Sequence, residues 1–198
     1  MATPQLPKTF HIFYAWAEGP WHGQALAAAL IEAGFIEAPL AQATVLIAHS
    51  VGSYLVPISE TNRVIVLIGP PYWPGRSVVR RLLRKVWCDF RLHRATPLTW
   101  VRKMTWATVY IATKPAMSVK AWRAVHRPSP FSAVPPRAVV VRNQEDVFIT
   151  PQLASFITNQ VVVLPGQHDD CWHTSEPYVK LIQAEYGRAN RQEAEASA

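Results

Sequence analysis

Thr44-Val45-Leu46-Ile47-Ala48-His49-Ser50-Val51-Gly52 is the stretch on which the reading of this 198-residue chain turns. Its apolar, β-branched run has the pattern of a buried strand. The run ends in a small residue, Ala48, and Ser50 then sits midway between Ala48 and Gly52. Small-x-Ser-x-Gly is the sequence form of a tight, strained turn. The strand stops, a helix begins beneath the serine, and its Oγ is left at the top of the sheet. Bulkier side chains at positions 48 and 52 would collide across such a turn. Taken alone, Ser50 serves equally well as a helix N-cap, so the motif gains weight only from partners elsewhere. His49 reads as a packed, hydrogen-bonded core histidine rather than a reacting group.

Two later segments supply what a serine nucleophile needs. Ala138-Val139-Val140-Val141-Arg142 is a buried-strand pattern followed by the polar loop Asn143-Gln144-Glu145-Asp146. Gln160-Val161-Val162-Val163-Leu164 is another, running into Pro165-Gly166-Gln167-His168. A serine hydroxyl is a poor nucleophile at neutral pH, so an imidazole must take its proton. A carboxylate on the far ring nitrogen then fixes the tautomer and stabilises the cation that forms. Asp146 taken singly is also a good turn former, and His168 could be an exposed loop histidine. Serine, acid and histidine in that order at three strand ends make a much less accidental set.

On these residues the chain resembles the α/β-hydrolase superfamily, from about His11 to Tyr186. The resemblance implies that Ser50 is the nucleophile, Asp146 the acid and His168 the base. It also implies an oxyanion hole of two backbone N–H groups. One is that of Val51, after the nucleophile. The other is that of Trp16, in the loop after the first strand, Phe10–Tyr14. Many of these hydrolases have His-Gly-x there, whereas this chain has Tyr14-Ala15-Trp16; Tyr14 and Trp16 would serve equally as wall residues.

Strands alternating with helices predict an α/β fold, a three-layer α/β/α sandwich with a mostly parallel sheet. A helix is expected from about Trp21 to Ala33 with Gly34 as its stop. A short helix should follow the elbow until Pro57, then a strand over Arg63–Ile68. The last helix is expected near Pro177–Tyr186, with an unstructured tail after Gly187. Only nine residues, Phe35–Ala43, separate Gly34 from the elbow strand. A parallel crossover needs about a dozen or more, so the unit found here in a full hydrolase is missing or reduced to a vestigial strand at Phe35–Glu37. The sheet should hold five or six strands, in a single domain over residues 1–198.

Between the third strand and the acid strand lies an insertion, Pro71–Arg137, expected to form a helical cap. It carries fourteen Lys and Arg against one acid, Asp89, while the rest of the chain is net negative. It also holds Trp73, Trp87, Trp100, Trp106 and Trp122. Ser77 opens an amphipathic basic helix whose apolar residues alternate with Arg80, Arg81, Arg84 and Lys85. Weaker helical patterns follow at Pro97–Ile111 and Met117–Val125. The bland reading is a cap with solvated arginines; the sharper one is a cap that meets an anionic membrane surface or an acidic substrate. No nucleic-acid motif is present, so a nucleic-acid partner is not expected.

Other chemistry is weakly supported. His168-Asp169-Asp170-Cys171-Trp172-His173 offers ligand types close together, but structural zinc sites draw on two separated pairs; no metal and no cofactor are expected. Cys171 lacks an elbow, and two cysteines, Cys88 and Cys171, give no disulfide framework. With no membrane-span pattern and no signal-peptide pattern, the expected location is the cytoplasm. The resulting expectation is a serine hydrolase that cleaves small carboxylic esters or thioesters through an acyl-enzyme on Ser50. The competing one is a degenerate hydrolase scaffold that binds anionic lipid or acidic ligands through its basic, Trp-rich cap.

Overall fold

The computed structural model describes residues 6–14, 18, 21–57, 63–71, 83, 87, 91, 96–126, 138–146, 148–149, 151 and 160–196. Its strands are β1 (Thr9–Phe13), β2 (Ile36–Glu37), β3 (Val45–His49), β4 (Val64–Ile68), β5 (Ala138–Asn143) and β6 (Val161–Leu164). They form one sheet in the order β2-β1-β3-β4-β5-β6, with every neighbouring pair parallel. This is the expected parallel sheet, at six strands.

All five residues of β3 and all five of β4 are buried. Central parallel strands are covered on both faces, so they read as continuous Val/Ile/Leu runs. Alternate side chains feed two cores. Phe10, Ile12, Val45, Ile47, Val64 and Val66 pack with residues of α1 (Gln24–Glu32) and α4 (Glu176–Ala196) on one face. Leu46, Ala48, Ile65, Leu67 and Val140 pack with Tyr54, Phe148 and Ile149 on the other. The first and last helices therefore share a face, and Leu26, Leu30 and Ile182 are wholly buried between them and the sheet.

The short link before the elbow has a simple geometry. β2 pairs only with Thr9 and Phe10, the first two residues of β1. The chain thus never climbs the height of the sheet and need not cross back. It passes beneath β1 through a 3₁₀ turn, Leu40–Gln42, pinned by Ala38 N–H to the Phe10 carbonyl at 2.9 Å and by Thr44 Oγ to the Pro7 carbonyl at 2.6 Å. The vestigial strand is present, and the crossover it would have needed is not.

Three elements depart from expectation. α1 starts at Gln24, not Trp21, and ends as expected before Gly34, with Phe35 N–H bonded to the Leu30 carbonyl. Ser50–Leu55 is a 3₁₀ helix rather than an α-helix; Val56, held extended before Pro57, leaves no room for another turn. α4 does not stop near Tyr186 but runs through Gly187 to Ala196. The reason is tertiary. Ala189 is buried in the core, Asn190 Oδ1 accepts the Leu6 N–H at 3.2 Å, and the Tyr186 hydroxyl donates to the Leu6 carbonyl. Of the insertion, α2 (Pro97–Thr113) and α3 (Pro115–His126) form where helical patterns were read; the Ser77 helix lies largely outside the described residues.

Candidate active site

Ser50 follows β3 with φ +50, the one non-glycine residue at positive φ among the described residues. A left-handed backbone at a serine is strained, and here it is enforced by what comes next. A Cβ on Gly52 would lie 2.5 Å from the Phe13 carbonyl oxygen and 2.6 Å from that of Tyr14. Only a bare backbone lets the turn sit this close to the end of β1. Val51, the first residue after the turn, sits at the start of the 3₁₀ helix, where amides lack an intrahelical partner.

Asp146 and His168 come together from β5 and β6. His168 Nδ1 lies 2.7 Å from Asp146 Oδ2, and both residues are buried. The other carboxylate oxygen, Oδ1, accepts the backbone N–H groups of Phe148 at 2.7 Å and Ile149 at 3.3 Å. A carboxylate only accepts, so His168 Nδ1 carries the proton and its Nε2 is left with a lone pair. The imidazole stretches from β6 across the end of β4: a Cβ on Gly69, which follows β4 with φ +55, would fall 2.8 Å from His168 Cε1 and 3.0 Å from Asp146 Oδ2. Its ring lies between those of Phe148, 4.6 Å away, and His49, 4.8 Å away. Ser50 stands at the end of β3 beside this group, and among the described residues its hydroxyl makes no hydrogen bond to His168.

His49 is buried and hydrogen-bonded, as expected for a core histidine, but its partners are the informative part. Nδ1 lies 3.0 Å from Glu18 Oε2, and Nε2 lies 2.9 Å from the backbone carbonyl of His168. Glu18 Oε1 also accepts from Trp172 Nε1 at 3.1 Å. Burial works against the imidazolium, yet the Glu18 carboxylate, with the hydrogen-bonded Cys171 side chain, outweighs it and holds the His49 pKa well above the usual histidine range. Burial likewise opposes ionisation of Glu18, and His49 reverses this, holding the carboxyl below its ordinary value. Nothing in the sequence pattern singled out Glu18, because its partners lie 31 and 154 residues away.

The remaining candidates sort plainly. His173 is exposed at the end of a 3₁₀ turn, Asp170–Trp172. Cys171 is buried, and burial pushes its thiol up to about 11, so it holds no thiolate near neutrality. Ligand atoms of His49, His168 and Asp169 lie within 4.8 Å of one another. The set does not suit a metal, since both His49 nitrogens already face acceptors and His168 Nδ1 is taken by Asp146. Trp16, Arg80, Arg81, Arg84, Lys85 and Cys88 lie outside the described residues.

No protein-family model and no curated protein sequence matches this chain. Solved structures do resemble it. An enol-lactonase from Burkholderia xenovorans LB400 superposes with a TM-score of 0.58 at 13% identity, covering 90% of this chain and 91% of that one. A hydrolase from Pseudomonas aeruginosa PA01 gives 0.60 at 11% identity, over 91% and 90% of the two chains. The type II thioesterase BorB from the borrelidin biosynthetic cluster gives 0.55 at 14% identity, over 93% of each. With a six-stranded parallel sheet, a strained serine closing β3 and likeness over nine-tenths of its length, this chain has the α/β-hydrolase fold.

Proposed function

We propose that this protein is a serine hydrolase that cleaves small carboxylic esters or thioesters by acyl transfer. The observation that carries the reading is the buried 2.7 Å Asp146–His168 pair at the sheet edge where Ser50 is held at φ +50. In this reading His168 Nε2 takes the Ser50 proton as Oγ attacks the substrate carbonyl. The N–H groups of Val51 and Trp16 receive the oxyanion. Collapse of the tetrahedral species expels the alcohol or thiol, which takes its proton from His168. Water then repeats the sequence on the acyl-enzyme and frees the acid and Ser50. No metal or cofactor takes part. The enol-lactonase and thioesterase among the similar structures support a carbonyl substrate of this class.

A fluorophosphonate probe tests the reading. Stoichiometric labelling at Ser50, with hydrolysis of short-chain activated esters that falls about 10⁴-fold in Ser50→Ala, is the expected outcome. A folded wild type that neither labels nor turns over would reject it.

A second reading, a scaffold that binds an anionic membrane surface, is favoured by one observation. Leu83, Trp87, Leu98 and Val101 are each more than 60% exposed, within the Pro71–Arg137 insertion, where one acid faces fourteen Lys and Arg. Apolar side chains beside uncompensated cations suit a headgroup interface. Under it, Arg80, Arg81, Arg84 and Lys85 would meet the lipid, and the protein would sediment with phosphatidylserine vesicles but not with neutral ones.

A further inference from the structure

Glu18, His49 and the His168 loop form a closed chain of contacts that the acyl-transfer scheme does not use. His49 directs both ring nitrogens at groups that can only accept, the Glu18 carboxylate at 3.0 Å and the His168 carbonyl at 2.9 Å. A neutral imidazole has one N–H and would set a lone pair against one of these oxygens. Two arrangements satisfy both: a neutral ring that accepts from a protonated Glu18, or a doubly protonated ring beside an ionised Glu18; the raised pKa of His49 and the lowered one of Glu18 favour the second. The charge this requires is compensated on the spot, because Glu18 is also fixed from its other side by Trp172 Nε1 at 3.1 Å. The indole itself packs edge-on against the His49 ring at 4.9 Å. The remaining groups around the pair are Asp169, whose Oδ1 is 4.0 Å from His49 Nε2, the un-ionised Cys171 thiol, His22 on the Glu18 side and the His168 ring at 4.8 Å.

We propose that Glu18 and His49 form a buried ion pair whose outer proton, on His49 Nε2, clamps the backbone of His168 and makes both of them positioning residues for the base. His168 is then held at two points. Asp146 fixes its ring through Nδ1, and His49 fixes its main chain. A ring gripped only by Asp146 could swing about that one contact; anchoring the carbonyl removes the freedom and keeps Nε2 over the end of β3. Glu18 touches no reacting atom and acts through His49. The proposal rests on the serine hydrolase reading for its kinetic consequence, though not for the protonation state of His49.

The experiment therefore has two arms. In the first, ring-nitrogen NMR of ¹⁵N-histidine-labelled wild type at pH 7.5 reads His49 directly. An unpaired imidazole would be about nine-tenths neutral there; a doubly protonated His49 is expected, and a neutral single tautomer would overturn the proposal. In the second, Glu18→Gln keeps size and acceptor but removes the charge. Its kcat is expected to fall about 10- to 100-fold with KM changed less than about twofold. Its pH–rate profile should gain a descending limb above about pH 6.5, where the unpaired His49 loses its second proton and shares the remaining one between Nδ1 and Nε2, so that only part of the population keeps the clamp, while the wild-type profile rises once and stays level. A folded Glu18→Gln with wild-type kcat and a level plateau would sink the positioning role. His49→Gln gives the same comparison should Glu18→Gln not fold: it can donate to the His168 carbonyl, so it is expected to retain more kcat than His49→Ala, and equal rates would count against the clamp. If the wild type itself neither hydrolyses esters nor takes up the probe, the hydrolase reading fails, and the NMR arm alone then decides the ion pair.

Discussion

Asp146 divides its carboxylate between two tasks, and that division sets what each nearby substitution should do. One oxygen is held by two backbone amides and the other by His168. In Asp146→Asn the amide oxygen will stay with the backbone donors and its NH₂ will face His168 Nδ1, forcing the tautomer whose Nε2 cannot accept a proton. Ester hydrolysis should drop about 10³- to 10⁴-fold, somewhat less than on loss of Ser50. His168→Ala should cost several orders of magnitude, whereas exposed His173→Ala should stay within about twofold; steady-state kinetics on the folded variants checks both. Asp169→Asn should be mild, since its carboxylate faces His49 at 4.0 Å. The Glu18–His49 pair gives stability its own pH window. His49 is raised in the folded state, so its contribution is full below about 6.5 and is lost as pH rises through the raised value. Glu18 is lowered, so its contribution is full above about 4.5 and is lost as pH falls through the lowered value. The melting-temperature gap between wild type and Glu18→Gln should therefore be widest near pH 4.5–6.5 and close toward both extremes.

Secondary-structure elements were legible where burial writes a strong pattern. β3, β4 and β5 stand within a residue or so of where their Val/Ile/Leu runs place them, because strands buried on both faces have no polar side to obscure them; β6, a partly exposed edge strand, is marked by its β-branched run alone. Asp146 and His168 follow β5 and β6 as read, and the geometry joins them. Gly69 and Glu18 left no such trace: each matters through side chains far along the chain rather than through a local period. The end of α4 was misread for a related reason. Glycine and a polar tail are stop signals locally, but contacts with Leu6 and the burial of Ala189 carry the helix onward. Gly187→Ala makes this testable. A Cβ there would meet only Arg191 Nη1 at 3.7 Å, and the backbone is not left-handed, so stability should rise by about 0.5–1 kcal/mol. A helix that ended at Gly187 would instead be weakened by the alanine. Ile182→Ala, which removes a wholly buried side chain between α4 and the sheet, should cost about 2–5 kcal/mol in denaturant unfolding.

Across the whole molecule, charge is unevenly spread: residues 71–137 hold fourteen of the twenty Lys and Arg and one of the thirteen acids. If that excess meets an anionic surface, recovery with phosphatidylserine vesicles should fade as salt rises past about 0.15 M, the range in which exposed charges are screened. Hydrolysis of an uncharged ester should hardly respond to the same salt. Recovery that ignores salt would mean that the arginines are solvated and idle. Among the described residues no helix is long and apolar enough to cross a membrane. The seam between Leu6 and α4 reaches further than packing. Residues 184 and 180 positions apart are bonded there, and the same helix roofs the core that β1, β3 and β4 present on one face. During synthesis on the ribosome α1 can cover only part of that oily surface, and the rest stays bare until residues 176–196 have left the exit tunnel. Until then the nascent chain is a client for whatever shields unfinished proteins, and a premature stop before α4 should yield a product that is degraded or aggregates rather than a smaller folded protein.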